Sequence, residues 1–166
     1  MFIDETGLNT KMTRRYGRAR GGARCVGQVP HGHWRTSTFI AGLRRGGITA
    51  PFVVDRPMNA ALFEAYVARV LGPALRPGDV VVMDNLAAHK RPAIRAILAE
   101  HGATALYLPP YSPDLNPIEL AFAKLKTLLR AAEERTVEAL WDRLKPTLDA
   151  FTPQDCQNFF KHAGYA

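Results

Sequence analysis

The chain has 166 residues, 47% of them hydrophobic and 22% charged, which is enough apolar material for one ordinary packed domain and too much for a disordered chain. Its net charge of +7 and sequence pI of about 9.8 favour a polyanionic partner, of which nucleic acid is the commonest. Two cysteines, Cys25 and Cys156, make no disulfide framework; the N-terminus lacks the basic and apolar regions of a signal peptide, and no run nears the roughly 18 apolar residues that span a bilayer, so a cytoplasmic protein is expected.

Residues 1–6 read as a short strand, and the Gly- and Arg-rich stretch 9–33 as the least regular part of the chain. Residues 34–43 and 48–54 read as two strands joined by a four-residue turn, Arg44-Arg45-Gly46-Gly47. Pro51 puts the second of them at a sheet edge or on a bulge, because proline donates no ladder hydrogen bond. Residues 59–71 carry Leu62, Tyr66, Val67 and Val70 at helical spacing behind Asn59, a good N-cap, and stop at Gly72-Pro73. The apolar run 79–84 reads as a buried, parallel strand. A helix over 91–101 ends at Gly102, a strand follows over 104–108, and further helices are expected over 117–132, 136–149 and 153–162. Antiparallel strands first and β-α-β alternation later predict an α/β fold with a mixed sheet and helices on both faces.

Three acids stand out within this order. Alternation along the first strand places Asp4 on the opposite face from Glu5. Asp84 ends the buried run, and ligands of open α/β sheets collect beyond the carboxyl ends of strands; a turn aspartate capping the next segment is the plainer alternative. Glu119 is the third residue of a helix with Asn116 as N-cap and Pro117 at its first position, which is also a capping-box arrangement. The loop before it is stiffened by Pro109, Pro110 and Pro113, so the direction of Glu119 is fixed. The helix puts Ile118, Phe122, Leu125 and Leu129 on one face, with Glu119, Lys126 and Arg130 on its flank, a trio suited to a salt-bridged surface or to a metal and phosphate site. Three carboxylates from separate elements could hold two divalent cations that clamp the attacking and leaving oxygens of a phosphoryl displacement.

The stretches FIDETG at 2–7, TFIAGLRRGGITAPFVVD at 38–55, GDVVVMDNLAAHK at 78–90, LPPYSPDLNPIELAFAKLK at 108–126 and FTPQDCQNFFKHAGY at 151–165 resemble, in order and over nearly the whole chain, the catalytic domain of bacterial mariner-like insertion-sequence transposases of the DDE superfamily. Thirty-four residues separate Asp84 from Glu119, matching the spacing of that family's second and third acids. The resemblance implies a ribonuclease H-like fold with Asp4, Asp84 and Glu119 as catalytic metal ligands. It implies two Mg²⁺ ions replaceable by Mn²⁺, hydrolytic cleavage at element ends, and attack of the freed 3′-hydroxyl on target DNA. It also implies double-stranded DNA as substrate, a homodimer to pair two ends, and a bacterial, nucleoid-associated location.

His89 and Lys90 match the family's Asp-Asn-x-x-x-His-Lys pattern and, with Asn85 and Asn116, are expected to support the site by orienting Asp84 or touching phosphate; exposed helix-start positions are the alternative for the first two. The family's helix-turn-helix modules precede its first acid; only three residues do so here, so a single catalytic domain over 1–166 is expected, with a separately encoded helix-turn-helix chain as partner. Arg14, Arg15, Arg18, Arg20 and Arg24, with Lys124, Lys126 and Arg130, are expected to contact DNA backbone. Cys25, His31 and His33 lack a fourth ligand and match no common zinc spacing. Trp34 and Trp141 read as packing residues. Two other readings stand beside the enzyme: an inactive DNA-binding remnant, and a cellular nuclease such as a junction resolvase, against which the proline-rich motif before Glu119 argues.

Overall fold

A computed structural model describes residues 1–165. Five strands, β1 (Phe2–Asn9), β2 (Thr36–Arg44), β3 (Gly47–Val54), β4 (Val80–Met83) and β5 (Thr104–Tyr107), form one sheet in the order β3-β2-β1-β4-β5. β1 pairs antiparallel with β2 and parallel with β4; β4 and β5 are parallel. This is the expected mixed sheet, and it puts β1 at its centre. β1 runs three residues beyond the expected 1–6, because Thr6 to Asn9 pair with Phe39 to Thr36 although Gly7 interrupts their apolar pattern.

β2 and β3 close on a tighter turn than expected: Arg44 pairs with Gly47, leaving only Arg45-Gly46 between them. Pro51 lies on the edge strand, beside a register shift between Ile40 and Gly42, so both of its expected consequences hold. At the irregularity Ala50 takes a left-handed φ of 49°, and its carbonyl accepts a hydrogen bond from the buried Tyr66 hydroxyl at 2.9 Å.

Each face of the sheet carries its own core. On one side pack α1 (Ala60–Tyr66), its π-helical continuation Val67–Leu71 and α2 (Pro92–Glu100), which bury Phe63, Tyr66, Val67, Leu71, Ile94 and Leu98 against Ile3, Ile40, Val81 and Met83. The Asn59 side chain caps α1 by accepting from Leu62 N at 2.9 Å. The buried stripe runs through Phe63 and Leu71; Leu62, expected on it, is only half-buried. On the other side α3 (Pro117–Ala132), α4 (Val137–Asp149) and α5 (Pro153–His162) cover Phe2, Leu8, Phe39 and Leu43. α3 buries Ile118, Phe122, Leu125 and Leu129, the face read from the sequence. Phe2 of β1 packs on Phe160 and Tyr165, and the Tyr165 hydroxyl donates to Leu115 O at 2.8 Å, which anchors the loop before α3.

Residues 10–35 leave this framework as a long excursion closed at its neck. Thr10 N donates to Arg35 O at 3.2 Å and Arg35 N to Thr10 Oγ1 at 3.3 Å. Trp34 is 55% exposed with the Lys11 ammonium 4.6 Å above its ring, so it meets a lysine and lies outside the core; Trp141 packs on the core, donating Nε1–H to Ser37 Oγ at 3.0 Å. Among the described residues no helix is long and apolar enough to cross a membrane.

One ion pair holds β2 to the segment before β4. Arg44 Nη1 and Nη2 donate to Asp79 Oδ1 and Oδ2 at 2.8 and 2.5 Å, Nη2 also reaches Ala74 O at 3.1 Å, and Arg76 N donates to Asp79 Oδ2 at 2.8 Å. The guanidinium hydrogen bond outweighs partial burial and holds the Asp79 carboxyl down at about 2. A depressed carboxyl pKa stabilises the fold above the unfolded value of about 4 and stops doing so as pH falls through the folded value of about 2. Asp79→Ala should therefore lower stability at pH 7 by about 1.5–3 kcal/mol, the range of a hydrogen bond to a charged group. Denaturant titrations should show that difference closing between pH 4 and pH 2; a constant gap across that window would contradict the assignment.

Candidate active site

Asp4 is an even-numbered residue of β1 and faces α3, as Phe2 and Leu8 do. It is buried, at 8% exposed; its Oδ1 accepts Glu5 N at 2.8 Å and its Oδ2 accepts Asn116 Nδ2 at 2.8 Å. Burial drives its pKa up to about 7; the Glu5 N–H opposes that rise, and the charges of Glu119, Glu5 and Asp84 add to it.

Asp84 follows directly on β4, at the carboxyl end of a parallel strand. Its Oδ1 accepts Leu86 N at 3.1 Å, the two-residue reach of an Asx turn, and His89 Nδ1 at 2.5 Å. The turn-aspartate alternative is thus part of the truth, and the carboxylate also does more. Burial raises the Asp84 pKa, but the hydrogen bonds from His89 and Leu86 N and the charges of His89 and Lys90 outweigh it and leave the carboxyl below its usual value. Asp84 is held ionised, and Asp4 resists ionising beside it.

Glu119 is the third residue of α3 and is exposed. The capping box expected around it is absent. Asn116 sits at the N-cap position, yet its side chain makes no capping hydrogen bond: its Nδ2 donates to Asp4, 112 residues away in sequence, and its Oδ1, the atom that would cap, has no hydrogen-bond partner among the described residues. Glu119 is held instead through its backbone, with Glu119 N donating to Asn116 O at 3.1 Å, so its carboxylate is not used in capping. Asp4, Asp84 and Glu119 all line one cavity of about 540 Å³, together with Asn85, Asn116 and the stiff loop Pro109–Pro113. Tyr111 of that loop, fully exposed and with a left-handed φ of 56°, stands at its rim.

His89 is 1% exposed rather than a surface helix-start residue, and its ring lies on Phe63 with centroids 4.1 Å apart. Its Nδ1 meets Asp84 and its Nε2 lies 3.4 Å from Glu5 Oε2. That second contact is an ion pair that falls short of an aligned hydrogen bond, and neither atom has another partner among the described residues. Burial would lower the His89 pKa, but the hydrogen bond to Asp84 and the nearby Glu5 and Asp84 carboxylates prevail and lift it to about 9. Glu5 was not anticipated as part of the site. The signal was available: a charge at an odd position of a strand whose odd face is core needs a partner there. Lys90, by contrast, is exposed, its ammonium 6.0 Å from the Tyr107 ring centroid.

The basic residues divide. Arg14, Arg15, Arg18, Arg20 and Arg24 are exposed on the 10–35 excursion, and Arg15 comes close enough to Lys126 and Arg130 of α3 to depress both of their pKa values in concert with burial, the larger cause. Glu119 and Asp4 pull the Lys126 ammonium the other way, which sets it between the acids and the arginines. Lys124 is committed elsewhere: its Nζ lies 2.7 Å from Asp155 of α5 and 4.9 Å from the Phe151 ring centroid.

The donor set suits a hard divalent cation. Asp4, Asp84 and Glu119 line the cavity, and the buried Asn116 Oδ1, on a residue lining it, has no hydrogen-bond partner among the described residues. Among the described residues no three His, Cys, Asp or Glu side chains stand close enough together to form a ready-made metal cage.

The family model of the DDE superfamily endonucleases matches residues 1–148. No curated protein sequence matches the chain. Among solved structures, a Mos1 transposase paired-end complex with the left transposon end superposes with a TM-score of 0.74 at 19% identity, covering 98% of this chain and 51% of that one. A Mos1 mariner paired-end complex with Mn gives 0.71 at 17% identity over the same shares. The catalytic domain of Mos1 mariner transposase gives 0.65 at 20% identity, covering 78% of this chain and 69% of that one. At these identities the likeness is one of fold, the ribonuclease H-like mixed sheet, and the chain spans about half the length of the transposases in the paired-end complexes. With the family match running through all three acids, the chain belongs to the DDE superfamily endonucleases.

Proposed function

We propose that the chain is the catalytic domain of a DNA transposase, cutting phosphodiester bonds at the ends of a mobile element and joining the freed 3′-hydroxyl to target DNA, with Asp4, Asp84 and Glu119 as its working acids. The observation that carries the proposal is the shared cavity: three acids from a central strand, a strand end and a helix start line one hollow. Asp4, Asp84 and Glu119 would hold two divalent cations, Mg²⁺ or Mn²⁺; relatives of the same fold are described with Mn and with Mg. Such ions polarise the scissile phosphate and the attacking oxygen.

The chain's own groups do the rest. Asn116 holds Asp4 through Oδ2, and His89 with Leu86 N holds Asp84 through Oδ1. Lys126 and Arg130, on the flank of α3, and the arginines of the 10–35 excursion form a basic approach along which duplex DNA reaches the acids. Recognition of the element's ends falls to surfaces outside the acid cluster.

The test is nicking of a supercoiled plasmid carrying the inverted repeats that flank the gene. Activity should require Mn²⁺ or Mg²⁺ and vanish in EDTA. Asp84→Asn should cost about 100- to 1,000-fold in rate, the scale of losing one preorganised electrostatic group, while duplex binding holds. Undiminished nicking by that variant would remove the acid from the mechanism.

Binding itself should be sequence-indifferent and salt-sensitive. Arg15→Ala combined with Arg18→Ala should weaken all duplexes alike and flatten the dependence of log affinity on log salt by about two units of slope, roughly one for each phosphate that is no longer neutralised. An unchanged slope would move the DNA track off this excursion.

A further inference from the structure

Among the described residues only one of the two Asp84 oxygens takes protein hydrogen bonds, and the chain of contacts behind it reaches the far side of the sheet. Asp84 Oδ1 already accepts two donors, Leu86 N and His89 Nδ1. His89 turns its other nitrogen away from the cavity, towards Glu5 Oε2. Glu5 leaves β1 on the face opposite Asp4, beneath the α1 core, where Phe63 lies along the imidazole. An imidazole with a carboxylate at each nitrogen and a phenyl ring on its face cannot turn about its Cβ–Cγ bond without breaking both polar contacts. At 1% exposure it has no water to replace either.

We propose that Glu5 is a positioning residue for Asp84: acting through the His89 ring, it fixes which Asp84 oxygen faces the cavity, and so presets that ligand for a divalent cation. This rests on the metal-site reading above and extends it across the sheet. The two acids of the Asp4-Glu5 pair then have separate tasks, Asp4 in the cavity and Glu5 behind Asp84. Outer partners that orient metal-binding carboxylates are worth about 10- to 100-fold in metal affinity, which sets the size of the effect.

The test is Mn²⁺ binding to the 166-residue chain, read from the loss of the free-ion electron paramagnetic resonance signal, with no turnover involved. Glu5→Gln keeps an acceptor of the same reach; Glu5→Asp keeps the charge but shortens the arm; Glu5→Leu removes both. The unaltered chain should bind. Glu5→Asp and Glu5→Leu should raise the apparent dissociation constant about 10- to 100-fold, and Glu5→Gln by no more than about threefold, with circular dichroism unchanged. Should Glu5→Leu fail to fold, the contrast between Gln and Asp decides alone. Wild-type affinity in Glu5→Asp overturns the proposal, as does a Gln variant that falls as far as Asp, since the reach of the side chain would then not be what holds the ring. If the unaltered chain and Asp84→Asn alike fail to bind Mn²⁺, the metal-site reading falls and takes this with it; if only the Glu5 variants match wild type, the site stands and the positioning role is lost.

Discussion

A strand repeats every two residues, and in this protein that period is applied to two neighbouring acids at the centre of a sheet covered on both sides. Asp4 and Glu5 leave the same stretch of β1 in opposite directions, one towards α3 and one towards the α1 core. Both directions lead into the fold, and each acid finds a partner there. Asn116 answers Asp4 and His89 answers Glu5, and each answer fixes something larger: the start of α3 in the first case and the turn after β4 in the second. The geometry around the cavity follows from these two obligations.

The electrostatics are deliberately uneven. Asp84 keeps its charge because a cationic ring and a backbone N–H support it, whereas Asp4 is pushed towards neutrality by burial and by three acids around it. Grouping like charges in a half-buried hollow costs stability, and the fold offsets that cost elsewhere. The buried face of α3 lies close by: Ile118, Phe122, Leu125 and Leu129 are almost wholly removed from water, each contributing about 1.5–3 kcal/mol. The residue that points Glu119 and the residues that hold the helix down thus belong to one amphipathic segment, and the tether from Tyr165 to Leu115 stiffens its approach.

Much of this was legible in the residues. The extent of α3 came from Pro117 and four apolar positions at helical spacing, and the edge position of β3 from Pro51 alone. Asp84 was marked by ending an apolar run. What escaped was whatever depended on distant partners. Asn116 looks like a cap because caps are local, but its amide prefers a carboxylate brought to it by the sheet. The motif marks His89 as a partner of Asp84, which it is, but not as a buried one, and only the packing of α1 against that turn buries it. Trp34 looks like core because of its size, yet it stands on the excursion, where a lysine is its neighbour. Alternation along β1 marks Glu5 only as the face opposite Asp4; its partner, His89, comes from the turn after β4.

The neck between Thr10 and Arg35 has an evolutionary consequence. Because the ends of the excursion are pinned to each other, its length is nearly uncoupled from the sheet: doubling a flexible loop costs only about 0.6 kcal/mol in closure entropy. The segment can gain, lose or reshuffle residues while β1 and β2 keep their register, so the display of arginines on it is free to diversify in descendants whose sheet stays the same.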